Sequence, residues 1–142
     1  MTQGRTMRGY LVDVKTGEAR AVETQTGNGA LADYYRLIGC KTIDITSRSI
    51  GGKEFDIICD DEGLYAEGGA IVSALDSKYR PALVGSLIVC NYDENTGENT
   101  SLTDEDIAHL QRHMVTVFHG NGQPGVCLLL DGGECENFLE KG

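Results

Sequence analysis

The stretch ALVGSLIVCNYDENTGENTSLTDEDIAHLQRHM, residues 82–114, decides the fold. Leu83 to Cys90 is apolar on both faces apart from Ser86, so it reads as one strand near the centre of a sheet. Gly85 marks a bulge or a close backbone approach within it. Asn91 closes the strand, and a turn rich in Gly and Asn follows. Thr103 then opens a helix as N-cap, with Asp104, Glu105 and Asp106 at the positive end of the dipole. Ser101 with Asp104 offers an alternative cap one turn earlier. Ile107, Leu110, Met114 and Val117 form the apolar stripe of this helix.

Upstream, residues 1–7 read as a loose tail. Tyr10, Val12 and Val14 alternate in a strand over Gly9–Val14, and Lys15–Glu18 turns it back into Arg20–Glu23 as a hairpin. Thr24–Gly29 is a polar loop. Leu31, Tyr34, Tyr35 and Ile38 have helical spacing over Ala30–Ile38, with Gly39 as the stop. Lys41–Ile50 and Lys53–Cys59 are strands joined by Gly51-Gly52, a two-residue hairpin signal because both residues tolerate positive φ. Asp60–Gly63 is a turn, Leu64-Tyr65 a short bridge, and Ala70–Leu75 fits helix or strand. Tyr79-Arg80-Pro81 is extended, since proline biases its predecessor away from helix. Beyond a glycine-rich loop, Val126–Leu130 is a last strand. The expected fold is α+β: an antiparallel sheet of about six strands with one or two helices on one face.

The chain of 142 residues is one domain, 1–142, in which 119–142 is an extension or an oligomerisation tail. Its net charge of −10 repels nucleic acid and anionic membranes, and the 12 basic residues form no run. No DNA, RNA or membrane partner is expected. Five cysteines without CxxC spacing, and no apolar signal core in MTQGRTMRGY, point to a reducing cytoplasm with mostly buried thiols.

The chemical motifs are sparse. His109 and His113 stand four apart on one helix face, with Asp106 three residues before His109, a spacing that can hold a metal. No HExxH or paired cysteine supplies a third ligand, so these histidines read as surface residues and no metal site is expected. Cys90 sits in an apolar strand, which raises a thiol pKa and argues against a nucleophile. Asp60-Asp61-Glu62 and Asp104-Glu105-Asp106 are explained by turn formation and dipole complementarity. Neither GxGxxG nor GxxxxGK[ST] occurs, so no cofactor is expected. What remains is an anion pocket assembled from scattered cations: Arg112, Arg80, Lys78, Arg48 and Lys53.

Three ordered segments carry a resemblance: KTIDITSRSIGGKEFDIICDDEGL, PALVGSLIVCN and SLTDEDIAHLQRHM. They resemble a family of small phage and Firmicute proteins known as a domain of unknown function, over roughly residues 8–115. The pattern is similar to phage anti-Thoeris proteins of the signal-sequestering kind. The resemblance implies a sponge that is not an enzyme. Such a protein binds a cyclic ADP-ribose isomer made by TIR-domain defence enzymes, and in some members cyclic oligonucleotides. It holds the signal uncleaved in the host bacterial cytoplasm, as a dimer or hexamer. Carried onto this chain, the ligand residues are Asn91 at the strand end, Arg112 on the helix, Tyr79 as the stacking ring beside Arg80, either Arg48 or Lys53 as the hairpin cation, and His109 as a second basic group. Two competing readings are a hydrolase of the same nucleotide class and an acidic inhibitor that covers a host protein or mimics DNA.

Overall fold

The computed structural model describes residues 6–26, 29–60, 71–118, 122 and 124–131. The expectations for Asp61–Ala70, and for the tail beyond Asp131 with Cys135, lie outside the described residues.

The first hairpin is longer than its alternation suggests. Strand β1 (Thr6–Asp13) pairs in register with β2 (Glu18–Gln25) along its whole length, so Thr6, Met7, Thr24 and Gln25 belong to the ladder rather than to a tail or loop. Helix α1 (Ala30–Ile38) has the expected bounds and ends on Gly39. Strands β3 (Ile43–Ile50) and β4 (Lys53–Asp60) form the second hairpin around Gly51-Gly52. Strand β5 (Val72–Leu75) resolves the ambiguous segment as extended.

The apolar run at the centre of the chain is two strands rather than one. Strand β6 (Pro81–Val84) pairs with β5, whereas β7 (Leu87–Tyr92) lies between β1 and β4. The break falls at Gly85, whose φ of 82° is open to glycine and strained for other residues. Its N–H donates to Ile71 O (2.8 Å), and the buried Ser86 hydroxyl accepts from Val14 N–H (3.0 Å). Hydrophobicity is continuous across this break, so composition hides the change of sheet.

Strand β8 (Asn99–Thr100) pairs with the end of β7. Helix α2 (Asp104–Gln111) starts at Thr103, as expected, with a reciprocal capping box. It stops sooner than the apolar stripe implies. Met114 and Val117 lie in strand β9 (Met114–Phe118), where a β-branched run pairs with β10 (Pro124–Leu129). Tyr79 is not extended: it has a φ of 63° within a turn held by Asp76, whose Oδ1 accepts from the N–H groups of Lys78 (2.8 Å) and Arg80 (2.9 Å). The proline bias acts only on Arg80, its immediate predecessor.

The architecture is α+β and mostly antiparallel. One sheet has six strands, in the order β2-β1-β7-β4-β3 with β8 on β7. A second has the order β6-β5-β10-β9, with β5 and β10 parallel. The two helices lie on opposite faces of the six-stranded sheet. Tyr10, Val12, Phe55, Ile57, Leu87 and Val89 meet Leu110 of α2 and Leu128 of the second sheet. Met7, Leu11, Ile58, Ile88 and Cys90 meet Tyr34 and Ile38 of α1. Alternation along β7 feeds both layers, which is why its apolar run is continuous.

Gly85→Ala forces a left-handed alanine at the crossing between sheets. Urea unfolding should show a loss of about 1 kcal/mol with an unchanged slope. Wild-type stability would contradict the strained crossing.

Candidate functional site

The site grows from the hairpin Ile50-Gly51-Gly52-Lys53. Its two glycines have φ of 59° and 87°, the sign a type I′ turn requires at both central positions. The Ile50 carbonyl accepts from His109 Nε2 (2.7 Å), and the His109 carbonyl accepts from His113 Nδ1 (2.8 Å). Carbonyls only accept, so these contacts assign the proton to Nε2 of His109 and Nδ1 of His113. The imidazole rings lie 4.7 Å apart, and a Cβ on Gly51 would stand 2.4 Å from the His113 ring. The Asp131 carboxylate closes the other side, accepting from Ser49 Oγ (2.6 Å), Gly51 N (3.1 Å) and Gly52 N (2.9 Å).

One turn earlier on α2, Asp106 is buried at 4% exposure. Its Oδ2 accepts from Thr103 N (2.9 Å) and Asn91 Nδ2 (2.8 Å), and its Oδ1 pairs with the Lys53 ammonium. Burial pushes the Asp106 pKa up. The hydrogen bonds from Lys53, Thr103 and Asn91 together outweigh it and hold the carboxyl well below its ordinary range. Asn91 also donates to Ser101 O (3.1 Å), so its amide nitrogen serves the fold of the α2 entry. The Lys53 ammonium lies 5.2 Å from the centre of the Phe55 ring, in cation–π range.

The described arginines divide into two groups. Arg8, Arg20, Arg36 and Arg80 pair with Asp104, Asp13, Asp33 and Asp76. Arg48 and Arg112 have no ion pair with a described residue. Arg48 stands opposite Phe55 in the ladder, so both side chains share one sheet face. The Phe55 ring lies 6.0 Å from that of His109, and Arg112 stands three residues further on, on the same side of the helix. Register and ring contacts therefore bring Arg48, Lys53 and His109 to the rim of one contact, Phe55 against α2, while Arg112 is exposed at the C-cap of that helix. Asn91 joins them through Asp106. Tyr79, 66% exposed, and Arg80 lie apart on the turn between β5 and β6 of the second sheet.

The hubs Asp106 and Asp131 escaped sequence reasoning as site residues. The Thr103 cap was the available signal for Asp106, whereas Asp131 bonds across 80 or so residues of chain and leaves no local trace. A cleft of about 460 Å³ on the α1 face, lined in part by Met7, Tyr34 and Glu98, also had no sequence signal.

Burial, with the charge of Asp56, pushes the Cys90 thiol up to about 12, and burial lifts Cys127 to about 11. Both stay protonated at neutral pH and are poor nucleophiles. Among the described residues, no three His, Cys, Asp or Glu side chains converge as metal ligands. No described helix is long and apolar enough to cross a membrane.

Residues 7–115 match the family described as "Domain of unknown function (DUF3846)", and the chain belongs to that family. No curated protein and no solved structure matches it.

The depressed Asp106 pKa fixes the sign of one acid effect. The carboxylate's contribution is complete above the unfolded value of about 3.9 and disappears as pH falls through the lower folded value. Asp106→Asn should cost about 2 kcal/mol near neutral pH, and its deficit should shrink below about pH 4. A deficit independent of pH in urea titrations would disprove the charged clasp.

Proposed function

We propose that the protein binds a cyclic ADP-ribose isomer and sequesters it without cleavage, so blocking TIR-dependent bacterial anti-phage defence. The observation that carries this reading is the pair Arg48 and Arg112. In a chain of net charge −10, carboxylates are abundant, yet these two guanidinium groups meet none among the described residues. Their planar forks suit the oxygens of a pyrophosphate, and each such bond is worth about 1.5–3 kcal/mol. Lys53 adds a half-exposed ammonium at the same rim.

A nucleotide also needs a surface for its base. Tyr79 offers an exposed ring, and base stacking contributes about 1–3 kcal/mol. It stands on a different sheet from the arginines. A second copy of the chain then brings ring and cations to one ligand, in keeping with a dimer or hexamer. Asn91 acts indirectly, by holding Asp106 and through it Lys53. Sequestration at nanomolar concentration needs about −12 kcal/mol, within reach of several such contacts.

Calorimetric titration with a TIR-made cyclic ADP-ribose isomer, followed by mass analysis of the released ligand, tests the reading. Tight binding with the ligand mass unaltered is the expected result. Arg112→Ala and Arg48→Ala should each weaken binding at least tenfold, about 1.4 kcal/mol, with an unchanged melting temperature. Asn91→Ala should lower stability and affinity together, because it removes a donor from a buried carboxylate. No binding by the wild-type protein would reject the function, and an altered ligand mass would make the protein an enzyme.

A further inference from the structure

The cleft on the α1 face has a chemistry opposite to that of the arginine rim. Its volume is about 460 Å³, within the range of small-ligand sites. Met7, Ala30 and Tyr34 give it an apolar wall, while Thr26, Glu98 and Asn99 give it oxygen acceptors. Among the described residues that line it there is no Lys, Arg or His.

Two buried groups lie beside this wall. Asp56 is 7% exposed and carries no ion pair with a described residue; its partners are the neutral donors Ser47 Oγ (2.8 Å) and Asn99 Nδ2 (2.8 Å). Asn99 Nδ2 donates one N–H to Asp56, which leaves its carbonyl oxygen and its second N–H for the cleft. Thr24 is 1% exposed, and its hydroxyl has no well-formed hydrogen bond, though it lies near enough to the Tyr34 phenol to lower a pKa that burial raises. Ladder register sets Thr24 opposite Met7, and strand alternation sets it on the same face as Thr26, so it belongs to the cleft side of β2.

A buried carboxylate without a cation, a second carboxylate at the rim and oxygens without matching donors together make a region of negative potential. Phosphates and carboxylates are repelled from it. We infer that this cleft binds a small organic cation with an apolar stem, an aliphatic amine. Its methylene groups lie on Met7, Ala30 and Tyr34, and its ammonium groups donate to Glu98, to Asn99 Oδ1 and to the threonine hydroxyls. The site is independent of the nucleotide reading and lies on the opposite face of the six-stranded sheet.

Spermidine is the probe, titrated at low salt into the isotopically labelled full chain and followed by amide NMR. Saturable shifts should centre on Thr26, Ala30, Gly97 and Asn99, with a Kd below about 1 mM. Glu98→Gln should weaken binding about threefold to fivefold. Ala30→Leu, which fills the cleft, should abolish it while the rest of the spectrum stays native. Glu105→Gln, on the exposed first turn of α2, should change nothing. The site is overturned by unsaturated shifts, by undiminished binding in Ala30→Leu, by an equal loss in Glu105→Gln, or by the same shifts with magnesium chloride at matched ionic strength.

Discussion

Asp106 is the group on which the arrangement of the α2 face depends. It is one carboxylate with three duties in three elements: it caps α2, holds Lys53 at the start of β4, and fixes Asn91 at the end of β7. A carboxylate this buried is tolerated only when its lone pairs are filled, and here N–H donors and a cation fill them. Removing any one donor leaves charge in a place water does not reach. The helix therefore sits at a defined height on the sheet, and His109, one turn later, meets the hairpin carbonyl at hydrogen-bond distance.

Asp131 plays the same part from the other end of the chain. Its carboxylate takes both glycine N–H groups of the hairpin, and its own N–H reaches Ser49 O (2.8 Å). Burial opposes ionisation of this group, while the bonds from Ser49 and the two glycines hold its pKa below the ordinary value. The hairpin tip is thus clamped between two acids, one on α2 and one after β10. A tip so held presents Arg48 and Lys53 in a fixed frame, which reduces the ordering cost of any ligand they grip.

Much of the fold was legible because local rules and tertiary structure agree. The bounds of α1, the Gly51-Gly52 turn and the Thr103 cap all follow from short-range chemistry, and all three are present. The failures share a cause. Leu83–Cys90 looks like one strand because both of its halves are apolar, and periodicity cannot separate a strand that continues from one that changes sheet. Met114 and Val117 keep helical spacing from Leu110, yet a β-branched run with a pairing partner prevails over a period of two turns. Tyr79 was misread because a proline rule was applied one residue too far. At the site, residue types were readable from the sequence, while their grouping required the β3–β4 register and the seat of α2. The acids that organise them were hidden by their number: among 22 Asp and Glu residues, the Thr103 cap alone points to Asp106, and nothing local marks Asp131.

Charge pairing ties these strands together. In a chain with so many carboxylates a cation readily finds an acid by proximity, as Arg8, Arg20, Arg36 and Arg80 do. Arg48 on one face and the buried Asp56 on the other depart from that pattern, with no ion pair to a described residue. Neither departure helps folding, since each leaves electrostatic energy unrealised that a nearby opposite charge would recover. Sheet register keeps them apart: Arg48 points to the α2 face and Asp56, one residue along from Arg48's partner Phe55, to the α1 face. A six-stranded sheet with alternating side chains is a barrier that the two charges cannot cross. The same pleat that builds the two hydrophobic layers therefore keeps Arg48 and Asp56 on opposite faces of the sheet.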